Sequence, residues 1–184
     1  MQLISQDLDG KQWFQIAVSA FSMRGNATMR DVNGQEICGY RKKLLSMRAR
    51  SYITIEGPSG TMVVATVERH REFSLKRSIA YADIFIHNPP MSIDDVTTSG
   101  LPVSIHVFEN KFSKTYDFMM GNPDNNPYKI AQVAQIAHNR RPSYNRDNSY
   151  FVEIGSNVDF AFICICAHAI NNLVSNDEKR EENF

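Results

Sequence analysis

The chain has 184 residues, 20 basic and 20 acidic side chains and a formal net charge of zero, with 42% hydrophobic and 22% charged residues. That balance excludes a globally disordered chain, suits one folded domain, and argues against a dedicated nucleic-acid binder, which carries a basic excess. Residues 1–14 include Asp7, Asp9 and Lys11 but no apolar run, so no secretory signal is read there. Cys38, Cys164 and Cys166 are odd in number and lack disulfide-framework spacing. The expectation is a cytoplasmic protein with reduced thiols.

In chain order, the first clear elements are strands at 27–32 and 36–40 around Asn33-Gly34, the strongest short hairpin signal. Gly57-Pro58-Ser59-Gly60 then separates strands at 51–56 and 62–67. In the first of these, Tyr52, Thr54 and Glu56 alternate with Ile53 and Ile55, the period of a half-buried strand. Further strands are expected at 84–87, 103–109, 116–120 and 150–154, with turns at Asn88-Pro89-Pro90, Ser99-Gly100 and 121–127. Residues 130–136 fit either a helix or a strand. Ile130-Ala131-Gln132-Val133 echoes Val64-Ala65-Thr66-Val67, and both runs exit into basic residues, so a strand is expected. Short strands at this spacing suggest a sandwich or a barrel.

The C-terminal element differs in kind. Residues 160–167 are eight consecutive apolar side chains, which on a helix wrap more than two full turns. A helix apolar all round is buried in protein or in lipid. Ser156 or Asn157 is expected to cap it, with Asp159 in its first turn. Residues 158–174 are fewer than a membrane span requires and are interrupted by His168, Asn171 and Asn172, which favours burial in protein. Strands closed around such a helix leave no exposed edges.

Asp31-Val32-Asn33-Gly34-Gln35-Glu36, then Arg41 through Arg48, Tyr52-Ile53, and Val64 through Arg69 together resemble the LURP-one-related family. Val158-Asp159-Phe160-Ala161-Phe162 resembles that family's C-terminal helix. The likeness implies the tubby C-terminal-like fold: a closed twelve-stranded antiparallel β-barrel around a hydrophobic C-terminal α-helix. One domain over 1–184 is expected, with a core of about 14–174 and a charged tail at 175–184. By resemblance the protein is related to plant defence or to pathogens. The relatives also imply a ligand class, since tubby proteins bind phosphoinositides through basic surface side chains and scramblases associate with membranes.

No catalytic motif is present: there is no His-Glu-x-x-His, no Gly-x-Ser-x-Gly and no Walker loop. Asp94, Asp95 and Asp124 lack the spacing of a calcium loop. Cys164, Cys166 and His168 form C-x-C-x-H, but on a helix Cys166 points away from the other two, so buried thiols are the simpler reading. No catalytic residue, metal or cofactor is expected. The basic residues are the candidate site: Arg41, Lys42, Lys43 and Arg48, then Arg69, Arg71, Lys76 and Arg77, then Arg140 and Arg141. Residues 41–146 hold 15 basic against nine acidic side chains. Sharing one rim, these clusters would attract acidic phospholipid headgroups; scattered, they are a solvated surface. The expected function is non-enzymatic binding, of acidic phospholipids or of a protein partner, peripheral to membranes in the lipid case. The alternatives are a membrane-inserted, scramblase-like protein and an enzyme whose site leaves no sequence motif.

Overall fold

Among its described residues the computed structural model has eleven strands and one helix. It describes residues 2–6, 9, 11–18, 26–43, 50–58, 60–70, 81–110, 115–121, 127–135 and 150–181. The strands are β1 (Gln2–Gln6), β2 (Gln12–Val18), β3 (Ala27–Asp31), β4 (Glu36–Lys43), β5 (Arg50–Gly57), β6 (Gly60–Arg69), β7 (Ala82–Ser92), β8 (Ile105–Asn110), β9 (Thr115–Met120), β10 (Tyr128–Gln135) and β11 (Tyr150–Ile154). The helix, α1, spans Phe160–Glu181 and so continues into the charged tail. The strands form one sheet in chain order, each antiparallel to the next. Residues 130–135 are therefore strand, as the echo of 64–67 suggested. Among the described residues the sheet has eleven strands rather than twelve, and no pairing joins β11 to β1.

Side-chain alternation gives the sheet two faces. On the inner face Tyr40 pairs with Ile53, Ile53 with Ala65, and Val67 with Ile84, all within one buried cluster. Ile163, Ile165, Cys166, Ala167, Ala169 and Ile170 of α1 belong to the same cluster, each at most 4% exposed. Burial of an isoleucine contributes roughly 1.5–3 kcal/mol, so three isoleucines on one short helix segment make it a major stabilising element. The helix runs from one end of the sheet towards the other. Phe160 lies 5.4 Å from Phe14, and eight residues later His168 meets the Tyr40 ring edge-on at 5.5 Å.

Local chemistry explains several details. In the β3–β4 hairpin Gly34 takes φ 82°, while Asp31 Oδ1 accepts the backbone N–H groups of Asn33 (2.9 Å) and Gln35 (2.8 Å). At Gly39 a Cβ would stand 2.7 Å from Thr54 Oγ1, so close strand packing requires glycine there. Asp159, rather than Ser156 or Asn157, caps α1: its carboxylate accepts the Phe162 N–H at 2.9 Å, and its carbonyl accepts Ile163 N–H at 3.1 Å. It stands just before the helix rather than inside the first turn, because Asn157 occupies a left-handed conformation (φ 63°) that turns the chain before the cap. Asn88-Pro89-Pro90, expected as a turn, lies inside β7. There the register moves from Ala65↔Ile86 to Val63↔Met91, so residues 87–90 of β7 bulge opposite Val64. Proline cannot donate to a ladder, and a bulge accommodates it without ending the strand.

Replacing Ile163 with Asp is expected to abolish cooperative folding, because the carboxylate would be buried without a partner. Ile163→Val, a loss of one methyl, is expected to cost only about 1 kcal/mol. Thermal melting of both variants checks this, and an unchanged melting temperature for Ile163→Asp would contradict the burial of α1.

Candidate basic strand-end site

Four of the ten candidate residues fall within the described residues. Arg41, Lys42 and Lys43 close β4, and Arg69 closes β6. Arg48, Arg71, Lys76, Arg77, Arg140 and Arg141 lie outside the described residues. Alternation separates the four. Arg41 and Lys43 have the opposite parity to the inward-facing Tyr40, so they project outward; Lys42 and Arg69 share the inner parity, at the mouth of the sheet. Arg41 reaches away from the strand end, with Nη2 at 3.7 Å from Glu56 Oε1 and donating to Thr61 Oγ1 at 3.1 Å. Exposed Lys43 stands 5.9 Å from the Tyr52 ring, and the Arg69 guanidinium stacks 4.8 Å over Tyr81.

The pairing registers show a second polar arrangement that sequence spacing does not reveal. Lys43 pairs with Arg50, Arg50 with Glu68, Glu68 with Asp83, and Asp83 with His106, one transverse row on the outer face. Arg50 Nε is 2.6 Å from Glu68 Oε1, and Glu68 is only 3% exposed. Thr98 pins segment 93–104 over this row: its hydroxyl donates to Glu68 at 2.5 Å and accepts from Arg50 Nη2 at 3.3 Å. Beside it His70 Nε2 donates to Asp83 Oδ2 at 2.6 Å and His106 Nδ1 to Oδ1 at 2.8 Å. Burial acts to raise the Asp83 carboxyl, but the hydrogen bonds and charge of His70, then of His106, outweigh it and hold it below its ordinary value. Arg50, two residues beyond Arg48, is thus held in an internal ion pair.

Strand direction fixes which end each connection serves. Segments 19–26, 44–49, 70–81, 111–114 and 136–149 join strands at the end where β4 and β6 finish. By sequence they hold ten basic residues, Arg24, Arg48, Arg71, Lys76, Arg77, Lys111, Lys114, Arg140, Arg141 and Arg146, against Glu72 and Asp147. The connections at the other end, with the approach to α1, hold Asp7, Asp9, Asp94, Asp95, Asp124 and Asp159 against Lys11. By sequence the connections at the two ends are opposite in charge, and excess acids in the strands and the C-terminal tail bring the chain to neutrality. The final turns of α1 carry Asp177, Glu178 and Glu181 with Lys179 and Arg180 towards the basic end.

The C-x-C-x-H residues lie on α1 facing the strands, with Cys166 and His168 buried and Cys164 half-buried. Burial first, then the nearby Cys38, Cys164 and Asp159, raises the Cys166 thiol well above its ordinary value, which keeps it protonated. Among the described residues no helix is long and apolar enough to cross a membrane. The LURP-one-related family matches the chain over residues 3–171, and the chain belongs to that family. No curated protein and no solved structure matches it.

Two buried groups set an expected acid sensitivity. Burial pushes the His168 imidazole down from 6.5 to about 4, with Asn172 Nδ2 donating to its Nε2 at 2.8 Å. The unfolded chain takes up this proton first, so stability falls as pH drops from 6.5 to about 4, by on the order of 3 kcal/mol. Asp83 adds stability that is present above the ordinary carboxylate range and lost as pH falls through its lowered value. Melting temperature against pH checks this: His168→Leu should flatten the curve between pH 6.5 and 4, and an unaltered slope would contradict the assignment.

Proposed function

We propose that this member of the LURP-one-related family is a non-enzymatic binding protein that recognises acidic phospholipid headgroups, phosphoinositides among them, at the basic end of its sheet. In this reading the eleven strands are the wall of the closed twelve-stranded tubby-like barrel, and α1 fills its interior. What supports the reading is charge by sequence taken with strand direction: the connections assigned to one end hold ten basic residues and those assigned to the other are mainly acidic. Lys42 and Lys43 extend that basic character onto the strand end itself, in a run of three cations without a carboxylate. Each such charge near an acidic membrane contributes about 1 kcal/mol, and the attraction decays over a Debye length of about 8 Å at physiological salt.

A non-catalytic role fits the interior, where apolar side chains of α1 stand in the place of a substrate. The Asp83 clamp fits a structural role, since its two histidines satisfy both carboxylate oxygens. Arg50 and Arg41 are engaged by carboxylates, and the reading places lipid contact at the strand ends and connections, where the sequence is richest in basic residues.

Sedimentation with liposomes checks the proposal. The protein should pellet with phosphoinositide-containing vesicles and not with phosphatidylcholine vesicles, more strongly at low than at physiological salt. The pair Lys42→Glu, Lys43→Glu should weaken pelleting by about tenfold or more, from the four-unit change in charge. Binding no greater than to neutral vesicles would overturn the proposal.

A further inference from the structure

The acidic end carries an apolar surface that the basic-end reading does not use. Trp13 is the only tryptophan of the chain and is 42% exposed. Phe14 pairs with Asp31, and Trp13 and Val32 are the residues just beyond that last pair; Val32 is 60% exposed at the start of the β3–β4 turn. The Trp13 ring meets Phe160 edge-on at 6.5 Å, so the surface continues onto the first turn of α1. Ile37, the extra residue where the β3–β4 register shifts, adds a further exposed aliphatic side chain on the same hairpin. Single exposed apolar residues are ordinary; an exposed tryptophan that meets Phe160, with an exposed valine at the same end of the sheet, marks a patch.

Carboxylates share this end of the sheet. Exposed Asp9 lies in the β1–β2 turn, Glu36 opens β4, Asp159 caps α1, and Asp31 holds the hairpin. Glu36 and Asp159, from different elements, bear on the same point: after burial they are the further causes that push the Cys38 thiol up to about 12. The cations here are Lys11, 4.3 Å over the Trp13 ring, and Arg30, paired across the strands with Glu36. Two cations against four local carboxylates leave the end negative, and the remaining connections at this end add only acids.

We propose that this end is a docking surface for a basic peptide segment of a partner protein, anchored by an apolar side chain on Trp13, Val32 and Phe160. The charge decides the occupant: an acidic membrane is repelled by these carboxylates, whereas lysine or arginine flanking an apolar anchor matches both the patch and its rim. The two ends of the sheet then engage different ligands, and the surface stands whether or not the basic end binds lipid.

Trp13 supplies its own readout. A short peptide of alternating Lys and Leu should shift its emission to the blue, and an alternating Glu and Leu peptide of equal length should not. Val32→Ser removes apolar surface at an exposed position without changing the charge, and Glu36→Lys reverses the rim charge there. Each should weaken the Lys-Leu response by about tenfold while leaving liposome binding unchanged. The proposal is overturned if neither peptide alters the emission, if both do so equally, or if acidic vesicles shift it instead.

Discussion

Everything in this structure answers to one constraint: a helix segment with no polar side must be covered on every side. Residues 163–170 leave α1 no face for water, so the only stable arrangement is a sheet broad enough to curve around it. The consecutive strand order serves that need, since a meander places each strand beside its predecessor with short connections. The same demand explains the small residues where strand and helix approach, such as Ala65 and Ala169, both fully buried. His168 is the exception within the segment. It is kept neutral by burial and oriented by Asn172 and the Tyr40 ring.

The outer face follows a different logic. Thr98 of segment 93–104 covers part of it at Glu68, and Asp83 and Thr66 are also buried on this face. Buried charges persist only where each has a partner, and here Arg50 serves Glu68 while His70 and His106 serve Asp83. Such pairing distinguishes basic residues that hold strands together, Arg50 above all, from others that look alike in the sequence. Strand direction assigns the connections rich in basic residues by sequence to one end and the acidic ones to the other, and the proposed lipid contact rests on that charge pattern.

Much of this was legible beforehand, for identifiable reasons. Asn33-Gly34 and Gly57 to Gly60 marked hairpins because backbone geometry at those turns depends on local residues alone. The helix was legible from its apolar run, yet its cap was not, since Ser156, Asn157 and Asp159 are all good capping residues and only the left-handed turn at Asn157 selects Asp159. Strands β1 and β2 gave little signal: Gln2, Gln6, Gln12 and Gln15 dilute the apolar alternation, and their pairing partners are needed to see it. The row from Lys43 to His106 spans five strands and has no fixed spacing along the chain. Only register reveals it.

The central claim is that α1 is the interior of the protein rather than an appendage. Hydrogen–deuterium exchange of its backbone amides tests this most directly. The account predicts that amides of residues 163–170 exchange as slowly as the most protected strand amides of β5 and β6, and only through global unfolding. Exchange of those amides at the rate of a fraying surface helix, while β5 and β6 stay protected, would contradict it.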